Sequence, residues 1–160
     1  QAVEFEIPVL GVCYGHQLLA WAFAGEVGFH PRGREIGSVD ISLTAAAQDD
    51  LLFNGMPAIL KTQVSHQQSV LSLPPGASHL ASNDFEPNHA FRIGKFAWGI
   101  QFHPEFDARI TRAYLNARRD TLVAEGLDVE QLESELAESP ESSLLLRRFA
   151  GLSGFSEPIN

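Results

Sequence analysis

The sequence predicts a layered α/β fold with a β-rich second half and C-terminal helices. An apolar run over residues 7–12 has the composition of a strand that is buried on both faces. It passes through a tight turn into helix-forming residues 15–24, and Gly25 is the predicted end of that helix. A strand that turns directly into a helix is typical of layered α/β proteins.

Short strands dominate the predicted middle of the chain. Residues 37–44 alternate polar and apolar side chains, which indicates a half-buried strand. Further strands are predicted over residues 58–64, 79–82, 90–93 and 96–102. The last two are separated by Gly94 and Lys95, a spacing that predicts a hairpin.

The chain is predicted to become helical from Asp107 onward. An apolar stripe at helical spacing supports a first helix there. Asp128 and Gln131 have the spacing of a capping box for a second helix. Ser139 is the predicted N-cap of a third helix, with a proline at its first position. We interpret these acidic helices as solvated cover over the sheet.

Composition argues against several functional classes. The chain of 160 residues carries 20 acidic and 11 basic side chains, and its net charge of -9 argues against a nucleic-acid-binding surface. No stretch approaches the roughly 18 to 20 apolar residues that span a membrane. The single cysteine, Cys13, excludes an intramolecular disulfide and fits a reducing compartment, so a cytoplasmic location is expected.

The first motif with chemical meaning is G-x-C-x-G at the predicted strand-to-helix turn. This is the arrangement of a nucleophile elbow with Cys13 in the place of serine. The turn presents the thiol at a helix N-terminus, where the helix dipole favours a thiolate. The backbone N–H of Tyr14 then points toward a developing oxyanion. The pentapeptide alone is equally compatible with a buried core cysteine.

The second motif is H-P-E at the end of the last predicted strand. A thiol nucleophile needs a base within hydrogen-bond reach, and the base needs a carboxylate that fixes its tautomer. His103 and Glu105 have the residue types for both roles. Taken alone, a solvated histidine and glutamate at a strand end is the simpler interpretation. No histidine pair or Cys/His cluster has metal-ligand spacing, so no metal site is expected.

Three segments in order resemble the class I, or triad, glutamine amidotransferase domain. They are G-V-C-Y-G-H-Q, then V-S-H-Q-Q-S-V, and finally G-I-Q-F-H-P-E-F. The resemblance covers residues 7–106, and the helices that follow are similar to the tail of stand-alone relatives of the amidotransferase half of GMP synthase. It implies a flavodoxin-like three-layer fold with a mainly parallel central sheet.

The resemblance also implies a reaction and its residues. Cys13 would attack the side-chain amide of L-glutamine and form a thioester. His103 would move the protons, and Glu105 would orient it. Ammonia would pass to a separate synthetase partner, and no cofactor is implied.

The substrate-binding residues are carried over by position. Tyr14 and Gln17 resemble family positions that contact the glutamine, while Ser65 and His66 would flank it through backbone groups. Residues 34–37 are similar to a family turn near the pocket, and we interpret them as a structural turn.

The resemblance places all of residues 1–160 in one amidotransferase domain, with residues 107–151 as a helical extension of it. Family domains carry a β-α-β-α segment before the nucleophile strand, with a glycine-rich loop that donates a second oxyanion N–H. Only seven residues precede Pro8, so we expect this domain to be N-terminally incomplete and this chain to have reduced activity or none.

Three functions fit these residues. The first is glutamine hydrolysis that supplies ammonia to a synthetase. The second is hydrolysis of another γ-glutamyl compound by the same three side chains. The third is a non-catalytic interaction module of the same fold. Gln17 and the S-H segment favour glutamine over the second function. The complete set of Cys13, His103 and Glu105 argues against the third.

Overall fold

A six-stranded sheet forms the centre of the molecule, which a computed structural model describes over residues 1–154. The predicted domain range of 1–160 extends six residues beyond that description. The strands are β1 (Val9–Val12), β2 (Glu26–Phe29), β3 (Glu35–Leu43), β4 (Ile59–His66), β5 (Gln68–Ser72), β6 (Ser78–Ser82), β7 (Ala90–Ile93) and β8 (Ala97–Ile100). The sheet order is β1-β8-β7-β6-β3-β4, while β2 and β5 form a separate two-stranded ribbon.

The sheet is mixed, and the prediction of a mainly parallel sheet is wrong for the strands described. Only β1 and β8 pair in parallel, and every other neighbouring pair of this sheet is antiparallel. The connections over residues 83–89 and 94–96 explain this difference. They are shorter than the dozen or more residues that a crossover between parallel neighbours requires. The predicted β7–β8 hairpin is confirmed.

Helices cover both faces of the sheet, as the three-layer prediction requires. They are α1 (Tyr14–Ala22), α2 (Ala45–Gln48), α3 (Ala108–Ala117), α4 (Arg119–Ala124), α5 (Val129–Ser134) and α6 (Pro140–Leu152). Side chains alternate across β8: Ala97 packs in one core cluster with Ala20 of α1. Trp98 packs on the opposite face in the cluster that contains Leu145 of α6.

The first helix ends earlier than predicted, and at a different residue. It ends at Ala22, and the left-handed residue that follows is Ala24, with φ of 64°, rather than Gly25. Gly25 serves a close approach instead, because a Cβ there would lie 2.9 Å from the carbonyl oxygen of Ala20. The helical pattern therefore predicted the element correctly and its final turn incorrectly.

The predicted capping box of α5 is half formed, because the Gln131 side chain donates to Glu135 at 2.8 Å rather than turning back to Asp128. The Asp128 carboxylate accepts a hydrogen bond from the backbone N–H of Gln131 at 3.0 Å and caps α5. The Asp107 carboxylate caps α3 in the same way, through Ile110 N. Ser139 makes no side-chain cap of α6, because its hydroxyl faces the Gln63 amide at 3.3 Å instead. Within residues 1–154, no helix is long and apolar enough to cross a bilayer.

Candidate active site

Cys13 occupies the turn between β1 and α1. Its backbone has φ of 49° and ψ of -102°, a region that non-glycine residues rarely adopt. The Cys13 N–H donates to the carbonyl oxygen of Ile100 at 2.8 Å, which continues the parallel β1–β8 pairing by one residue. The turn thus places the thiol at the carboxyl ends of two adjacent parallel strands, with the helix N-terminus behind it.

The two glycines on either side of Cys13 have different roles. A Cβ on Gly11 would lie 2.4 Å from the backbone oxygen of Gly15, so β1 and α1 approach too closely for any side chain at this position. A Cβ on Gly15 would meet no atom within 4 Å. The close packing expected of the motif therefore depends on Gly11.

His103 and Glu105 lie together beside Cys13. The His103 Nδ1 atom is 2.6 Å from Glu105 Oε1, and its ring stacks on Phe106 with the ring centres 4.2 Å apart. Burial lowers the pKa of His103, but hydrogen bonding and charge interactions with Cys13 and Glu105 outweigh burial and raise this pKa to about 9. Burial raises the pKa of Glu105, and the hydrogen bond from His103 more than reverses that effect. At neutral pH this arrangement keeps a proton on the imidazole.

A cleft of about 240 Å³ opens in front of the thiol. It lies between the start of α1 and the β2–β5 ribbon. The residues that line it are Cys13, Gln17, Phe29, His66, Gln67 and Gln68. A volume of this size suits a ligand about as large as one amino acid, and most of the lining groups are polar.

A chain of amide hydrogen bonds runs behind the cleft. The Gln17 Nε2 atom donates to the backbone oxygen of Gln68 at 2.7 Å and to Gln101 Oε1 at 3.0 Å. The Gln101 Nε2 atom then faces the sulfur of Cys13 at 3.5 Å. Since the two N–H groups of Gln17 are used inside the protein, the group that it offers to a ligand is its Oε1 acceptor.

The other predicted binding residues differ in whether they line the cleft. His66 lines it, at the end of β4. Ser65 precedes it on the same strand, pairs with Ile36 and is not among the lining residues. Tyr14 begins α1, and its side chain is exposed and is not among the lining residues.

His66 is held in place by a buried carboxylate, that of Glu35. Its Nε2 atom lies 2.9 Å from Glu35 Oε2, and His89 Nε2 lies 3.3 Å from the same oxygen. Asn83 donates to the other carboxylate oxygen at 2.7 Å. Burial raises the pKa of Glu35, but the hydrogen bonds from His66 and its neighbours hold this pKa well below its usual range. Residues 34–37 are therefore not a turn, because Glu35 begins β3 and anchors the cleft wall.

Four residues near the thiol were not predicted from the sequence: Phe29, Gln67, Gln68 and Gln101. Phe29 and Gln68 pair with each other in the ribbon, which has no clear periodic signal. Gln101 lies in the G-I-Q-F-H-P-E-F segment, two residues before His103. A strand that alternates its side chains would have suggested that these two residues face the same way.

Comparison with known proteins agrees with this geometry. The family described as glutamine amidotransferase class-I matches residues 1–119. Over 103 residues the chain is 38% identical to a glutamine-hydrolyzing GMP synthase subunit of Pyrococcus abyssi. That match covers 64% of this chain and 53% of the relative, so the chain spans about half the length of that protein.

Solved structures show the same likeness. A glutamine amidotransferase from Thermotoga maritima superposes with a TM-score of 0.77 and 27% identity, covering 95% of this chain and 64% of that one. A second, from Methylobacillus flagellatus, gives a TM-score of 0.64 and 29% identity, covering 96% and 61%. The family match spans residues 1–119, and the fold agrees with it. This chain therefore belongs to the class I glutamine amidotransferase family.

Proposed function

We propose that the chain hydrolyses the side-chain amide of L-glutamine with Cys13 as nucleophile, His103 as acid and base, and Glu105 as the group that orients His103. The observation that carries this proposal is the geometry around His103. Its ring is held by Glu105 at 2.6 Å, and its raised pKa keeps a proton available beside the sulfur. Membership of the family supports the choice of an amide as substrate.

The proposed reaction proceeds in two halves. The Cys13 thiolate attacks the amide carbon of glutamine, and the backbone N–H of Tyr14 donates to the oxyanion that forms. As the tetrahedral intermediate collapses, the carbon–nitrogen bond breaks, His103 gives its proton to the nitrogen, and ammonia leaves. A water molecule then gives a proton to His103 and attacks the γ-glutamyl thioester, which releases glutamate and restores the thiolate.

The lining of the cleft supports glutamine as the ligand. The Gln17 Oε1 atom is an acceptor, so it suits the α-ammonium of an amino acid. The His66–Glu35 pair fixes the opposite wall, where backbone groups of the segment after β4 would flank the ligand. These groups support a role for Gln17 and His66 in substrate binding. Ser65 and Tyr14 would contribute only backbone atoms.

We further propose that the ammonia serves a synthetase made as a separate chain. The Pyrococcus abyssi relative is named as one subunit of a glutamine-hydrolyzing GMP synthase, which supports a two-chain arrangement. The synthetase that this proposal requires makes its product from ammonium salts alone. With glutamine as the nitrogen source, it makes product only when this chain is added with Cys13 intact.

The first test measures glutamate and ammonia release from glutamine, for the chain with and without its synthetase partner. We expect release that is abolished in Cys13→Ala and lowered about 10²- to 10⁴-fold in His103→Gln. His79→Gln is the matched control, because His79 lies on β6 away from the cleft. A γ-glutamyl dipeptide tests the competing hydrolase function. Faster turnover of the dipeptide than of glutamine would contradict the proposal.

A further inference from the structure

Gln101 is a buried polar side chain whose amide points at the sulfur of Cys13. The residue follows the last residue of β8 and has no exposed surface. Its backbone N–H donates to the carbonyl oxygen of His89 at 2.8 Å, which fixes the segment. Phe102, the next residue, packs in the main core cluster. The position of the Gln101 side chain is therefore set on both sides.

The orientation of this amide follows from a neighbouring carbonyl group. The backbone oxygen of Gln68 accepts only, so the end of Gln17 that faces it at 2.7 Å is the nitrogen. The second N–H of that nitrogen points to Gln101 at 3.0 Å, so the Gln101 atom there is the oxygen. The remaining end of Gln101, which lies 3.5 Å from Cys13 Sγ, is the N–H donor.

We propose that Gln101 is a further catalytic residue, which donates a hydrogen bond to the Cys13 thiolate and is aimed at it by Gln17. The proposal rests on the proposed function, in which Cys13 is the nucleophile. A donor beside a thiolate favours the charged form, as a cationic neighbour does. His103 then acts on one side of the sulfur and Gln101 on another, and removal of either raises the pH at which the thiolate forms.

The test is the pH profile of Cys13 alkylation by iodoacetamide, followed by mass spectrometry in the full chain. Gln101→Met keeps the volume and removes the donor, so we expect the midpoint of the rate profile to move up by about one pH unit. The rate well below the midpoint then falls about tenfold. Gln101→Glu still accepts from Gln17 but turns a carboxylate toward the sulfur, and we expect a larger shift.

The control is Gln63→Met, which removes an equally buried glutamine that does not face Cys13. It lowers stability without moving the midpoint. Gln101→Asn, which is too short to reach the sulfur, replaces Gln101→Met if the latter does not fold. An unchanged midpoint in folded Gln101 variants would overturn the proposal. Alkylation requires no glutamine, so a shifted midpoint in a chain that does not hydrolyse glutamine would contradict only the proposed function.

Discussion

Cys13, the proposed nucleophile, has a backbone conformation that non-glycine residues rarely adopt. Cys13 has a positive φ, and such a conformation costs about 1 to 3 kcal/mol in a non-glycine residue. The strain is held by the Ile100 hydrogen bond on one side and by the absence of a side chain on Gly11 on the other. In return the thiol faces His103 and Gln101 rather than the core.

The ionisation of His103 is the first property to measure at this scale. We expect its imidazole to titrate with a pKa near 9, and this value to fall in Glu105→Gln, because the variant removes one of the two charges that favour the imidazolium, while Cys13 remains. NMR titration of the ring protons, assigned with His103→Gln, gives both values. A wild-type pKa near 6.5 would contradict the geometry.

The raised pKa also fixes the sign of a pH effect on folding. Because the pKa of His103 is higher in the folded chain than in the unfolded one, protonated His103 makes its full contribution to stability below about pH 6.5. This contribution is lost as the pH rises from about 6.5 through about 9. Glu105→Gln should therefore flatten the decline in melting temperature over that window.

At the scale of elements, the contact between β1 and α1 depends on one glycine. We expect Gly11→Ala to destabilise the chain by about 3 kcal/mol, because its Cβ would overlap backbone atoms of α1 that cannot rotate away. Gly15→Ala is the matched control. Its Cβ meets nothing, and a helical alanine in place of glycine gains about 0.5 to 1 kcal/mol. Urea denaturation measures both values, and equal losses would contradict this assignment.

Most elements were predictable because their patterns are local. The turn at Cys13 and the capping residue of α5 follow from residue types at fixed spacing. The β2–β5 ribbon was missed because each strand is short, Gly28 interrupts one of them, and they pair only with each other. This omission extends to the site, since Phe29 and Gln68 enter the cleft only through that pairing. The proposed roles of Cys13 and His103 come from motifs, whereas the orientation of Gln101 depends on a backbone carbonyl 33 positions away.

At the scale of the whole molecule, one buried side chain ties the C-terminal helices to the sheet. Gln63 of β4 accepts from the hydroxyls of Ser38 and Thr111, each at 2.9 Å. Its Nε2 atom donates to the backbone oxygen of Ala137 at 2.7 Å. These bonds join β3, β4, α3 and the segment before α6. We therefore propose that residues 107–151 fold as part of the same domain as the sheet.

This proposal predicts one cooperative unfolding transition. Fluorescence of buried Trp98 reports on the sheet, and far-UV circular dichroism reports mainly on the helices, so we expect coincident urea curves. Gln63→Leu should lower the free energy of unfolding by about 2 to 3 kcal/mol, because it leaves buried polar groups without partners. Gln131→Leu, on an exposed surface, should cost less than about 0.5 kcal/mol. Separate transitions for the two probes would show two folding units.

The parallel pairing of β1 with β8 has a further consequence for how the chain folds. Cys13 and Gln101 are 88 positions apart, so the entropy of closing a long loop must be overcome before they meet. Most other strand contacts in the sheet join segments much closer in sequence. During refolding, the hairpins should therefore form early, and Cys13 should acquire its native reactivity in the last kinetic phase. Pulsed alkylation of the Cys13 thiol during refolding would therefore report when the last native contacts form.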